Sequence, residues 1–123
     1  MPWQTRLLEP ERIVESTFSG LLSPAELTAG FTGSVALGKQ GDILLFLADC
    51  TALEGGHSLL DVFSLLNMFE SVGLDRRVKE AVLLGESTPA ADRLEFYETA
   101  CRNRGYMVRL FSDRDQAIAW LKA

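Results

Sequence analysis

The sequence predicts an α/β fold: a single three-layer domain whose mostly parallel sheet carries an antiparallel N-terminal hairpin edge. Three observations predict it. Two short apolar runs, Ile43–Ala48 and Ala81–Leu84, have the pattern of strands covered on both faces. Segments with helical spacing of apolar residues separate the runs, and strands separated by helices pair in parallel through right-handed crossovers. Residues 3–8 and 11–19 read as two extended stretches meeting at Glu9-Pro10-Glu11, which is a hairpin signal. With 123 residues, 47% of them apolar and 24% charged, the chain is expected to form one domain over residues 1–123. At this size roughly two-thirds of the unfolded surface is buried, enough for a core without disulfide or metal staples.

Each element has a local reason. In the hairpin, Val14, Ser16 and Phe18 share one face and Ile13, Glu15 and Thr17 the other, a half-buried alternation suited to a sheet edge. Ser23-Pro24 opens a helix, since serine caps and proline needs no N–H in the first turn. That helix runs to about Gly38 with Leu27, Phe31, Val35 and either Leu37 or Ala36 inward, while Gly30 and Gly33 permit close approach to the sheet. The run 43–48, bounded by Gly41 and Asp49, is the central strand. A helix follows from Ser58 to about Val72, closed by Gly73, and then the strand 81–84. Another helix spans Pro89 to Arg104, with Ser87 or Thr88 before it and Gly105 as a left-handed cap after it. Tyr106–Phe111 is the last strand, and Ser112-Asp113 caps a short helix carrying Ala117, Ile118, Trp120 and Leu121.

Charge and composition exclude several classes. The net charge is -5, which argues against nucleic acid as partner. Residues 1–75 hold ten acids and three bases, and residues 76–123 hold seven acids and nine bases, so two electrostatically different faces are available for self-association. No apolar run approaches the ~18 residues of a transmembrane segment, and Met1-Pro2-Trp3-Gln4 lacks the form of a signal peptide. Two cysteines 51 positions apart give neither a metal spacing nor a disulfide framework. A cytoplasmic location is the expectation.

The helix over residues 58–72 is too greasy for its place. Nine of its fifteen residues are large and apolar: Leu59, Leu60, Val62, Phe63, Leu65, Leu66, Met68, Phe69 and Val72. A helix lying on a sheet needs an apolar arc of only about a third of its circumference. A second subunit, a neighbouring element of this chain or an apolar ligand would each cover the excess. Leu59, Phe63, Leu66 and Phe69 are the residues expected to face a dimer partner or ligand, and a homodimer is the expected assembly.

Chemistry is sought beyond the carboxyl ends of the strands. Those ends are Asp49-Cys50-Thr51, Gly85-Glu86-Ser87-Thr88 and Ser112-Asp113. The longest connection leaves the first, through Leu53-Glu54-Gly55-Gly56-His57-Ser58. Thr51, Gly55, Gly56, His57 and Ser58 therefore form a candidate anion-binding loop or phospho-acceptor site, alongside the plainer role of Ser58 as a helix cap. His57 is the sole histidine, with Cys50, Asp49 and Asp61 near in sequence, but no nucleophile motif surrounds it and one histidine supplies no zinc set. Cys101 reads as core packing. Gly33 to Gln40 nearly spells a phosphate-binding loop but has Gln40 in place of the Ser or Thr and lies in a helix. Arg93, Arg102, Arg104 and Arg109 gather in the last third as a solvated face or an anionic-partner surface. No catalytic residue, metal or cofactor is expected.

The element order, the strand 43–48, the greasy helix after it, and the ending from Arg102-Asn103-Arg104-Gly105-Tyr106 through Ala117-Ile118-Ala119-Trp120-Leu121 resemble the small bacterial STAS/SpoIIAA-like proteins. That family is similar both to anti-sigma-factor antagonists and to the C-terminal part of Sec14-type lipid-transfer proteins. The resemblance implies a SpoIIAA-like fold and a non-enzymatic binding or regulatory module, with a small apolar-ligand or lipid-binding role as the alternative. Antagonists carry Asp-Ser-Ser-Gly where this chain has Gly56-His57-Ser58-Leu59. Ser58 alone matches, so the implied phospho-acceptor rests on that one residue. Fold by itself does not fix function.

Overall fold

The computed structural model describes residues 2–123. Its elements run β1 (Trp3–Leu8), β2 (Ile13–Leu21), α1 (Pro24–Gly41), β3 (Leu45–Gly55), α2 (Leu59–Ser71), β4 (Lys79–Leu83), α3 (Ala91–Asn103), β5 (Met107–Phe111) and α4 (Arg114–Lys122). The five strands lie side by side in chain order, with β1 antiparallel to β2 and every later pair parallel. Because β2 to β5 advance in one direction across the sheet, right-handed crossovers place α1, α2 and α3 on the same face. On that face Phe18, Ala48, Cys50, Val82 and Val108 pack against Val62, Leu66 and Phe69 of α2 and Leu94, Tyr97 and Cys101 of α3. Among the described residues only α4 covers the other face, where Ala117 and Leu121 meet Ile13, Leu47 and Ala81. The predicted three layers are present.

Three details differ from expectation. The hairpin does lie at the sheet edge, with β1 outermost, but the first half of β2 is buried on both faces, Glu15 included, rather than half-buried. Glu15 is tolerated there because Arg6 and Arg114 both reach its carboxylate, at 2.6 Å and 2.5 Å. β3 does not stop at Asp49 but continues to Gly55, paired with β2 through register shifts at Thr17/Ser19 and Gly20/Leu21. Those bulges let polar Asp49 and Thr51 ride in a strand that an apolar-run criterion ends too early.

Helix α1 runs three residues beyond Gly38, to Gly41, and the residues it buries are Gly30, Ser34 and Gly38 rather than Leu27, Phe31 and Val35, which stay half-buried. A row of small residues every fourth position lets α1 lie low on the sheet. A Cβ on Gly30 would stand 2.5 Å from the Phe18 ring, and one on Gly38 would stand 2.7 Å from that of Phe46. Its start is fixed by a capping box in which the Glu26 N–H donates to Ser23 Oγ and the Ser23 N–H donates to Glu26 Oε1. Gly30→Ala should lower unfolding free energy by about 1 kcal/mol or more, since the clash outweighs the ~1 kcal/mol that alanine gains over glycine in a helix. Urea unfolding checks this, with exposed Thr32→Ala as the control expected to stay within ~0.5 kcal/mol of the parent.

Candidate functional site

Because β3 reaches Gly55, the turn into α2 is only residues 56–58. It is tight and fixed. Gly56 has φ 94°, and a Cβ there would meet the backbone of Leu22 at 2.6 Å, so only glycine fits. The Leu22 N–H donates to Gly55 O at 2.6 Å, tying the turn to the end of β2. Arg93, in the first turn of α3, covers Gly55 from above, with Nη2 2.9 Å from where a Cβ would be.

Ser58 caps α2. Its Oγ accepts from the Asp61 N–H at 3.2 Å, its own N–H donates to Asp61 Oδ2 at 2.7 Å, and its hydroxyl donates to the same oxygen at 3.0 Å. The Ser58 N–H, followed by the Ser58 hydroxyl, holds the Asp61 carboxyl below its ordinary range. Two donors expected for an anion are thus already engaged, although the Ser58 side chain stays exposed. Thr51 does not join this loop. It lies four residues back on β3, about 13 Å at ~3.3 Å per residue, and its hydroxyl donates to Asp49 Oδ1 at 2.7 Å.

His57 turns inward and is buried, with Nδ1 unpartnered among the described residues. Desolvation and then the Arg93 charge push its pKa down, which keeps the ring neutral. Cys50 is buried on β3, and burial followed by the Glu80 and Asp49 charges pushes its thiol far above the ordinary range. With Asp61 committed to the cap, Cys50, His57 and Asp61 form no acid–base–nucleophile set.

The excess apolar surface of α2 divides cleanly. Leu66 and Phe69 are 0% and 2% exposed and are covered within this chain, Phe69 lining an internal cavity. Both follow Val62 and Leu65 onto the sheet side, and Phe69 stacks on Phe31 of α1 with ring centroids 4.4 Å apart. Leu59, Leu60 and Phe63 stay out at the head of the helix, at 49%, 72% and 42% exposure. Leu21, at the end of β2, is exposed at the same end of the sheet. Arg104 lies 5.1 Å over the Phe63 ring and donates to Asn67 Oδ1.

Beneath the Phe31–Phe69 stack, between the sheet and α1 to α3, lies a mostly apolar cavity of about 90 Å³. Phe18, Ala48, Cys50, Val82, His57 and Tyr106 are among its walls, and Glu80 of β4 opens into it. Glu80 pairs in register with Phe46 on one side and Val108 on the other. It accepts one hydrogen bond, from the Tyr97 hydroxyl at 2.5 Å. Burial pushes its carboxyl up to about 7, with the Tyr97 bond pulling modestly the other way. Sequence reasoning missed Glu80 and Tyr97 because the strand was begun at Ala81. The available signal was spacing: Glu80 is two residues from Val82, hence on the same core-facing side.

No family model matches the chain, and no curated protein matches it. A solved structure does. An anti-sigma factor antagonist from Mycobacterium paratuberculosis superposes with a TM-score of 0.62 over 98% of this chain and 95% of its own, at 15% identity. The two proteins share a fold. The STAS/SpoIIAA-like architecture read from the sequence is therefore present; at this identity the likeness concerns the fold.

The buried carboxyl has a measurable consequence. The folded chain keeps the Glu80 proton up to about pH 7, whereas an unfolded chain releases it near 4.5. Stability should therefore fall as pH rises between those values, by roughly 3 kcal/mol at 1.36 kcal/mol per unit. Urea titrations from pH 4 to 8 should show this fall in the parent, and a difference from Glu80→Gln that grows across the same window.

Proposed function

We propose that the chain is a regulatory binding module without enzymatic activity, acting through protein–protein contact at the head of α2 and pairing there with a second copy of itself. The observation that carries this reading is the exposure of Leu59, Leu60 and Phe63 together on a helix whose other face is already occupied. Burying each such side chain fully is worth about 1.5–3 kcal/mol, and clustered apolar exposure of this kind marks contact surfaces. The fixed turn 56–58 presents the cluster without an ordering cost, which supports docking. The name of the structural neighbour, an antagonist that acts on another protein, supports a binding role in the same way. Within this reading residues 1–123 act as one domain, and Ser58 is a phospho-acceptor. Phosphate on its exposed Oγ would stand against the Asp61 carboxylate and break the capping box, altering the head of α2.

The cavity favours a second reading, the binding of a small apolar ligand. Sedimentation equilibrium tests the first. A mass of twice 13.6 kDa is expected for the parent at high micromolar concentration. Phe63→Asp, with an unchanged circular dichroism spectrum, should return the monomer mass. A parent that stays monomeric overturns self-pairing through this face.

A further inference from the structure

A carboxylate inside an apolar chamber needs a partner. Glu80 has one, the neutral Tyr97 hydroxyl. None of the ion pairs among the described residues includes it. The titratable groups nearest it are Tyr97 and Cys101 from α3 and Cys50 from β3, all uncharged or acidic, and His57, the histidine elsewhere in the chamber wall, has its pKa pushed down by desolvation and then by the Arg93 charge. Its cross-strand neighbours Phe46 and Val108 are apolar. Lys79, next in the chain, points to the opposite face and donates to Trp120 O on α4. Arg104 is engaged over Phe63 and Asn67. Taking a carboxylate out of water without a compensating cation costs several kcal/mol, and Glu80 is only partly buried where it lines the chamber.

The chamber also has a way out. Val35, Phe46, Leu74 and Val78 line both the chamber and an outer groove of about 510 Å³ between the C-terminal ends of α1 and α2. The rim of that groove holds Lys39, Arg77, Asp42 and Asp75, two charges of each sign, so it selects no charged headgroup. Charge selection falls to the inner end. The chamber is small, so the remainder of a chain lies along the groove.

We propose that this chamber binds a small aliphatic amine, its ammonium paired with the Glu80 carboxylate and its alkyl chain running past Val78 and Leu74 into the groove. The inference rests on the apolar-ligand reading above and adds the chemical class of the ligand. No covalent step is involved.

Isothermal titration calorimetry of the full chain with n-hexylamine, n-hexanol and n-hexanoate tests it. The expected result is one saturable site for hexylamine at pH 8, at least tenfold weaker in folded Glu80→Gln and weaker at pH 5.5. An alkylammonium stays charged at both values, so the change reports Glu80. Ala48→Leu, which fills the chamber and leaves the carboxyl in place, should also abolish binding. Equal binding of hexanol, preference for hexanoate, or indifference to Glu80→Gln overturns the amine assignment while the apolar-ligand reading stands. Absence of binding by all three probes overturns both.

Discussion

The structure depends on the direction in which its sheet is laid down. β2 to β5 follow one another across the sheet without reversal, so the handedness of every crossover sends α1, α2 and α3 to one face. Three helices must then share that side, while the nine-residue α4 covers the other alone. Crowding is relieved unequally. The small-residue row Gly30, Ser34, Gly38 sinks α1 toward β1 and β2, whereas α2 packs on α3 and meets the sheet through Val62, Leu65, Leu66 and Phe69. Where a low helix stands next to a high one, side chains bridge the step, and the Phe31–Phe69 stack is that bridge.

Both candidate functional features follow from this step. The chamber under the stack is the volume that a thin helix and a bulky one fail to fill together, and Glu80 lies on the strand that crosses its floor. At the other end of α2, the capping box and the Leu22–Gly55 bond hold the helix start in place, and its first apolar residues Leu59, Leu60 and Phe63 stay largely exposed there. The exposed head and the internal chamber are thus two consequences of one helix standing off the sheet.

Much of this was legible in the sequence. The continuous runs at 43–48 and 81–84 announced parallel strands, and Ser23, Ser58 and Asp113 each cap the helix they were expected to start. The excess greasiness of 58–72 was also legible, but not its division into Leu66 and Phe69 inside and Leu59, Leu60 and Phe63 outside. That division depends on the angle at which α2 meets α3 and α1, which local spacing does not encode. Thr51 stands on β3 rather than in the loop, because a bulged pairing with β2 carries the strand past its polar residues. Glu80 went unseen for the same kind of reason. A charge at a strand start reads as solvent-facing until the third dimension places Tyr97 over it.

The measurement closest to the centre of this account is the carboxyl ¹³C shift of Glu80, followed by NMR across pH 3 to 9. A midpoint near 7 is expected, rising further in Tyr97→Phe as the hydrogen bond to the carboxylate is lost. A midpoint near 4.5, indifferent to Tyr97, would mean that the carboxyl stands in water and that no apolar chamber surrounds it.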